Sequence, residues 1–302
     1  MAPKAYAAGL QLAGVSVRDA MAAVARSLEA SGIDGAVRDA RLLVLEALGI
    51  AATDLLRDPE RRLSVDEAAR LAAFARRRGA HEPVSRIVGT RGFYGRTFKI
   101  TPATLDPRPC TETVVEAALE IADREGWRET PIRILDVGTG TGALLLTLLA
   151  ELPKATGVGT DISEAALAVA RENASMLGVA GRATFLTRRT LDGIEGTFHL
   201  LVSNPPYIPT REIAALDLEV REYDPFTALD GGADGLDIYR ALAHGLQSAV
   251  PEGWAVFEVG AGQAKAVAQM LRSAAGAAAP PEIKIWKDLG HHERCVAVRT
   301  HC

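Results

Sequence analysis

From residue 112 onward the chain alternates short apolar runs with helical ones, and no other feature restricts its fold as much. The strand-like runs are IRILDVG (132–138), TGVGTD (156–161), ATFLT (183–187), FHLLVSN (198–204), WAVFEVG (254–260), EIKIW (282–286) and RCVAV (294–298). Between them lie helical runs such as ALLLTLLAEL, SEAALAVARENASML, GLDIYRALAHGL and GQAKAVAQMLRSAA. Strand, short connection and helix in strict succession predict an α/β domain, a mostly parallel sheet with helices on both faces. Ligands of such sheets gather at the carboxyl ends of the strands. The residues that close each apolar run are therefore the place to look for function.

The first part of the chain follows a different period. In VRDAMAAVARSLEASGI, Val17, Met21, Val24 and Leu28 recur at spacings of three and four, and DARLLVLEALGI repeats the pattern before Gly49. Ser64 followed by Glu67 forms a capping-box signature that opens SVDEAARLAAFARRRG, with a stop at Gly79. A helical bundle over residues 1–85 is predicted, and the basic run ARRRG at 75–79 reads as a solvated helix end. The period then shortens. RGFYGRTFKITPATL, turning around Gly92, Gly95 and Pro102, predicts a β-hairpin, and the prolines of LDPRPCTET hold an extended segment. Residues 86–110 are read as hairpin and linker, and 111–302 as the α/β domain.

Charge and cysteine usage exclude several function classes. A net charge of -4 with a pI near 5.9 disfavours a dedicated duplex binder. Cys110, Cys295 and Cys302 are far apart and show no ligand spacing, which predicts reduced thiols and no metal site. MAPKAYAAGLQLAGVSV has one lysine before a mildly apolar run but lacks the strong core of a secretory signal. The longest apolar run, GALLLTLLA, falls far short of the ~20 residues that cross a bilayer. A cytoplasmic protein with no membrane and no direct nucleic-acid partner is expected.

Two strand ends carry chemistry. The first apolar run leads into GTGTG, Gly138–Thr139–Gly140–Thr141–Gly142, where glycines let backbone approach a bound group. Nineteen residues after Gly142, Asp161 closes the next run, and a carboxylate there can accept both hydroxyls of a ribose. Loop and acid together favour a nucleoside cofactor. Because GTGTGA meets the dinucleotide fingerprint through Ala143, a nicotinamide dehydrogenase stays open on the loop alone.

The second strand end is SNPPYIP, and it discriminates. An amide or aromatic amine nitrogen is a poor nucleophile because its lone pair is delocalised. An enzyme that methylates it must hold its hydrogens on acceptors so that the lone pair faces the donor carbon. The side-chain oxygen of Asn204 and the carbonyl of Pro205 are two such acceptors. Pro205 and Pro206 fix φ and add no competing N–H, and Tyr207 offers a flat wall for a planar group.

With these residues in view, DVGTGTGALLLTLLA, GTDISEAALAVARENA, LLVSNPPYIP and ALDGGADGLDIYRAL closely resemble the bacterial release-factor glutamine methyltransferases. The resemblance extends through FYGRTFKITPATLDPRP and GHHERCVAV, and covers roughly residues 80 to 300. It implies a class I S-adenosylmethionine-dependent methyltransferase domain with a Rossmann-like seven-stranded sheet, preceded by a helical substrate-recognition domain. It also implies a substrate, the glutamine of the Gly-Gly-Gln loop in peptide-chain release factors. Gly138 to Gly142, Asp161 and Asn204 match the family's cofactor site, and Asn204 to Tyr207 its glutamine-binding motif. Asn204, Pro205 and Tyr207 are thereby the expected catalytic residues.

The chain departs from the family pattern at three places. After the third strand an acidic residue and an aromatic usually meet the adenine, and here Arg189 and Thr190 stand there. Arginine has donors only and cannot accept from an amino group; Thr190 is kept as a cofactor-site residue. Cys110 stands where an acid is common and His199 replaces an aspartate, and neither is assigned a role. Asn-Pro-Pro-Tyr is shared with adenine-N6 nucleic-acid methyltransferases, so the alternatives are that chemistry, a ribosomal-protein glutamine as substrate, or a catalytically weakened cofactor-binding relative.

Overall fold

The computed structural model describes residues 10–275 and 281–301. The first nine residues of the leader-like run and Cys302 lie outside the described residues. In chain order the helices and strands are α1 (Val17–Ala30), α2 (Ala36–Leu48), α3 (Ala52–Arg57), α4 (Val65–Gly79), α5 (Val84–Val88), β1 (Thr90–Phe93), β2 (Arg96–Lys99), α6 (Glu112–Arg124), β3 (Arg133–Val137), α7 (Ala143–Glu151), β4 (Thr156–Asp161), α8 (Glu164–Met176), β5 (Ala183–Thr187), β6 (Leu200–Ser203), α9 (Leu218–Arg221), α10 (Phe226–Leu229), α11 (Asp237–Ala249), β7 (Gly253–Glu258), α12 (Ala264–Ala274), β8 (Ile283–Lys287) and β9 (Glu293–Thr300). The chain divides into two units, Met1–Gly89 with Leu218–Tyr223, and Thr90–Asp217 with Asp224–Cys302.

The first unit is built on amphipathic helices. Val17, Ala20, Val24 and Leu28 of α1 meet Ala40, Leu43 and Val44 of α2 and Leu71 and Ala75 of α4 in one apolar cluster. Ser64 caps α4 as its spacing predicts: Glu67 N–H donates to Ser64 Oγ at 3.2 Å, and Ser64 N–H donates to the Glu67 carboxylate at 2.9 Å. The basic run that ends α4 is not wholly solvated. Arg76 and Arg77 are exposed, but Arg78 is buried, because Asp39 of α2 and Glu219 of α9 both pair with it, at 2.8 and 2.6 Å.

The second unit carries the sheet. Seven strands run in the order β5-β4-β3-β6-β7-β9-β8, parallel from β5 to β7, with β9 antiparallel to both β7 and β8. Strand alternation sorts the core into two layers, as a period of two requires. Ile134, Leu200, Val202, Trp254 and Val256 face the layer that holds α6 and α7. Leu135, Val137, Leu201, Ala255 and Phe257 face the layer of α11 and α12. β1 and β2 form the predicted hairpin, whose Phe93 and Phe98 rings meet edge to face at 6.1 Å inside the first layer.

The chain leaves β3 toward β4 and β5, then returns to place β6 on the other side of β3. That reversal opens a crevice beyond the carboxyl ends of β3 and β6. Among the described residues no helix is long and apolar enough to cross a membrane.

Candidate active site

The loop after β3 is fastened from below. Gly138 and Thr139 N–H both donate to the Thr160 carbonyl, at 2.9 and 2.8 Å. The Thr139 hydroxyl and Leu145 N–H donate to Asp136 Oδ2, at 2.7 and 3.3 Å. Gly140 has φ +54°, and a Cβ there would meet no atom within 4 Å, so what that glycine keeps clear is open space above the loop. Gly142 differs, because a Cβ there would stand 2.7 Å from Leu146 Cδ1; its smallness serves packing.

Asp161 closes β4 with both oxygens half used. Oδ2 accepts Gly140 N–H at 3.0 Å and Oδ1 accepts Ser163 N–H at 2.9 Å, while Ser163 itself caps α8. Each oxygen keeps a lone pair, which suits a vicinal diol. One turn away, Asp136 is fully buried, and its Oδ1 has no hydrogen-bond partner. Burial pushes the Asp136 carboxyl up to about 7, against the opposing effect of the Thr139 hydroxyl and Leu145 N–H.

Asn204 follows β6 directly, and the Ser203 hydroxyl ties β6 to the Val137 carbonyl of β3 at 2.6 Å. The strand end and the glycine loop are thus held together. Asn204 Nδ2 donates to Thr111 Oγ1 at 3.2 Å, and its Oδ1 accepts no hydrogen bond among the described residues. Pro205 is buried and Pro206 half-buried. The Tyr207 hydroxyl donates to Glu258 Oε1 at 3.2 Å, its carbonyl accepts from Gln263 Nε2 at 2.9 Å, and burial near Glu258 raises the phenol's pKa. The glycines of DGGADG pack against this turn. A Cβ at Gly235 would stand 2.3 Å from the Tyr207 carbonyl oxygen, and one at Gly231 2.8 Å from that of Pro206.

These elements enclose a cavity of about 330 Å³ within the second unit. Gly138 through Thr141, Asp161 and Asn204 through Pro206 line it; Gly142, Thr190 and Tyr207 do not. Thr190 instead donates to Asp192 at 3.0 Å, and Arg188 and Arg189 take the place at the cavity wall. Arg189 is exposed and makes no hydrogen bond or ion pair among the described residues. His199 lies at the opposite end of β6, where its Nδ1 accepts Arg133 N–H at 3.1 Å. Cys110 Sγ stands 3.9 Å from Glu258 Oε1, with its thiol pushed up by burial.

Sequence reasoning missed Asp136, Thr111, Glu258 and the wall formed by Pro225–Ala228 and Asp230. Asp136 and Glu258 carried a signal, each being the single acid in an apolar run. Thr111 carried none.

Comparison with known proteins gives the family and the fold. A family model described as the PrmC N-terminal domain matches residues 19–89, and one described as the methyltransferase small domain matches residues 125–218. The chain is 48% identical over 263 residues to a protein of Bradyrhizobium diazoefficiens named Release factor glutamine methyltransferase, covering 87% of this chain and 88% of that one. A protein of the same name from Rhodospirillum rubrum is 46% identical, over 90% of this chain and 81% of its own. Among solved structures, a methyltransferase from Pyrococcus furiosus shares the fold at a TM-score of 0.50 and 15% identity, over 70% of this chain and 92% of that one.

Proposed function

Because this chain belongs to the family of release factor glutamine methyltransferases, we propose that it methylates the side-chain amide nitrogen of the glutamine in the Gly-Gly-Gln loop of peptide-chain release factors, using S-adenosylmethionine. The cytoplasm, where release factors act, is the proposed place of the reaction. A hydride-transfer reading of the glycine loop is set aside by that family membership.

The residues present fit the cofactor. Asp161 has a lone pair on each oxygen for the ribose diol, and the orphaned Oδ1 of Asp136 suits an ammonium group. Gly140 leaves room for close approach, and the exposed Ile162, with the largely buried Leu144, gives the lining apolar surface for a flat base. Thr190, tied to Asp192 and outside the cavity lining, is proposed to act there only as the neighbour of Arg189 in the wall. Bound there, S-adenosylmethionine supplies an electrophilic methyl carbon on a positively charged sulfur.

The chain's own residues prepare the nucleophile. Asn204 is the observation that carries the reading, because its Nδ2 is committed to Thr111 and its Oδ1 is free to accept an N–H of the glutamine amide. The Pro205 carbonyl accepts the other N–H, the two prolines keep these acceptors from turning away, and Tyr207, which does not line the cavity, holds the end of the turn through its bonds to Glu258 and Gln263. So held, the nitrogen lone pair points along the axis of transfer. With the amide held in this way, transfer of the methyl carbon to the nitrogen would break its bond to sulfur and leave a neutral thioether, and the surplus N–H proton would pass to solvent.

The test is methyl transfer from labelled S-adenosylmethionine to a purified release factor, with Gln→Ala in its Gly-Gly-Gln loop as control. Label confined to the intact glutamine supports the reading. Label on both proteins, or on neither while the cofactor binds, refutes it.

A further inference from the structure

The chain from Asp224 to Gly231 walls one side of the cavity and is fastened at both ends. Asp224 is buried, pairs with Arg108 and accepts Asp106 N–H at 3.3 Å. At the other end Ile208 N–H donates to the Leu229 carbonyl at 3.0 Å and Gly231 N–H to the Ile208 carbonyl at 2.9 Å, so the wall lies backbone to backbone along the turn that follows β6. Between these anchors Phe226 lines the cavity together with Asn204, Pro205 and Pro206. It is 56% exposed, whereas Phe93, Phe98, Phe198 and Phe257 of the same unit are buried. A lone apolar side chain on a convex surface needs no explanation, but a ring held at the lining of a cavity is placed where a ligand can cover it. Asp230 lines the same cavity. Its Oδ1 accepts the Thr210 hydroxyl at 2.6 Å and Gly232 N–H at 3.0 Å, while Oδ2 accepts no hydrogen bond among the described residues.

We propose that Phe226 and Asp230 form a specificity subsite beside Asn204 that takes the glycine immediately before the substrate glutamine: the Phe226 ring covers its bare Cα, and Asp230 Oδ2 accepts a backbone N–H there. The reason is the fixed wall. A ring on a segment anchored at both ends does not retreat from an incoming side chain, so the residue that passes between it and the Asn204 turn is admitted as backbone alone. Glycine is the residue that meets this condition, because it has no Cβ. A carboxylate oxygen only accepts, so its partner on the substrate is an N–H, which backbone supplies. Asn204 and Pro205 read a primary amide, and every exposed glutamine has one. A neighbouring subsite that rejects a Cβ tells one glutamine from another. This inference rests on the glutamine reading and adds to it the residues that select the sequence around that glutamine.

The experiment measures kcat and KM for release factor, cofactor Kd and melting temperature in Phe226→Ala, Phe226→Leu and Asp230→Asn. Each is assayed on release factor with its native loop and with Gly→Ala at the position before the glutamine. Phe226→Ala should lower kcat/KM on the native loop by about 10- to 100-fold, the loss expected when a ring no longer buries its surface, with cofactor Kd and melting unchanged. Phe226→Leu should fall between alanine and wild type. Asp230→Asn keeps an oxygen for Gly232 N–H and turns an NH2 toward the substrate N–H, which should cost about 10-fold. The deciding readout is discrimination between the two loops. Wild type should prefer the native loop by about 100-fold, and Phe226→Ala should cut that preference by at least about 10-fold, because the vacated space admits the added methyl. A residue that only braced the wall would slow both loops alike. Equal losses on both loops, an unchanged kcat/KM in Phe226→Ala, or an Asp230→Asn equal to wild type overturns the subsite. Should Phe226→Ala melt early, Phe226→Leu carries the same comparison. A wild-type protein that leaves release factor unlabelled overturns the glutamine reading instead, and calorimetric binding of a Gly-Gly-Gln peptide to the protein loaded with S-adenosylhomocysteine then decides the subsite. Binding weakened by Phe226→Ala supports it; binding indifferent to that change, or no binding, overturns it.

Discussion

Asp39 of the helical unit and the acids Asp136 and Glu258 of the α/β unit are buried carboxylates treated in opposite ways, while Asp106 and Asp224 of the α/β unit are matched by Arg91 and Arg108 much as Asp39 is matched. In the helical unit Asp39 is buried and saturated: Oδ1 accepts from Arg38 at 3.2 Å, Oδ2 accepts from Arg78 at 2.8 Å, and Arg78 goes on to Glu219. In the α/β unit Asp136 and Glu258 are buried without a paired cation, and each keeps one oxygen with no partner. Matching a buried charge fixes a packing arrangement. Leaving one unmatched stores an unmet demand for a proton, a donor or a ligand, which is the pattern found where groups act rather than only hold.

That contrast can be broken by substitution. The largest effect is expected where matching is complete. Arg78→Met leaves Asp39 with only the exposed Arg38 as a cation and should cost about 3–5 kcal/mol of stability, seen in calorimetric melting, while cofactor Kd stays unchanged; an unshifted melt would mean the helical network holds nothing. Asn204→Ala should lower methyl transfer by about 10²- to 10³-fold, the usual loss for one preorganised polar contact, with melting nearly unchanged. Undiminished turnover would remove the clamp from the mechanism.

Asp136→Asn separates the two roles of an unmatched acid. The folded carboxyl titrates at about 7 and the ordinary value is 3.8, so between these pH values the unfolded chain has released a proton that the folded chain still holds. Stability of the unliganded protein therefore falls as pH rises through that window, by on the order of 4 kcal/mol at most. Asparagine cannot ionise but brings an NH2 of its own, and a net gain of about 2 kcal/mol at pH 8 that shrinks toward pH 4 is expected. Weaker cofactor binding should accompany it, and a variant that binds equally well would show that the orphaned oxygen serves no ligand. The smallest effect is at Arg189, where Arg189→Asp should tighten cofactor binding by about 1 kcal/mol, measured by titration calorimetry. No gain would mean that the adenine amino group finds its acceptor elsewhere.

Much of the fold was legible because the strands needed no partner to announce themselves. LLVS of β6 and GWAVFE of β7 are buried at every position, and only a sheet covered on both faces makes such runs. The glycine loop, Asp161 and the Asn204 turn were legible because each sits at a strand's end. Thr111 was not, because its meaning depends on Asn204, 93 residues further on. Arg78 looked like surface for a similar reason: what buries it comes from α2 and from α9, 141 residues away. The glycines at 231 and 235 were visible as a motif, but their purpose, to let one backbone lie against another, needed coordinates.

Leu218–Tyr223 belongs to the helical unit although its neighbours in sequence on both sides belong to the α/β unit. The helical unit is therefore not an appendage that a gene can gain or shed at a single fusion point. A protein begun at Thr90 would keep Glu219 while losing Arg78, the cation that neutralises it. Shortening this enzyme to its methyl-transferring half would require editing the middle of the gene as well as its beginning, and any lineage that exchanged its helical unit for another would have had to rewrite both places together.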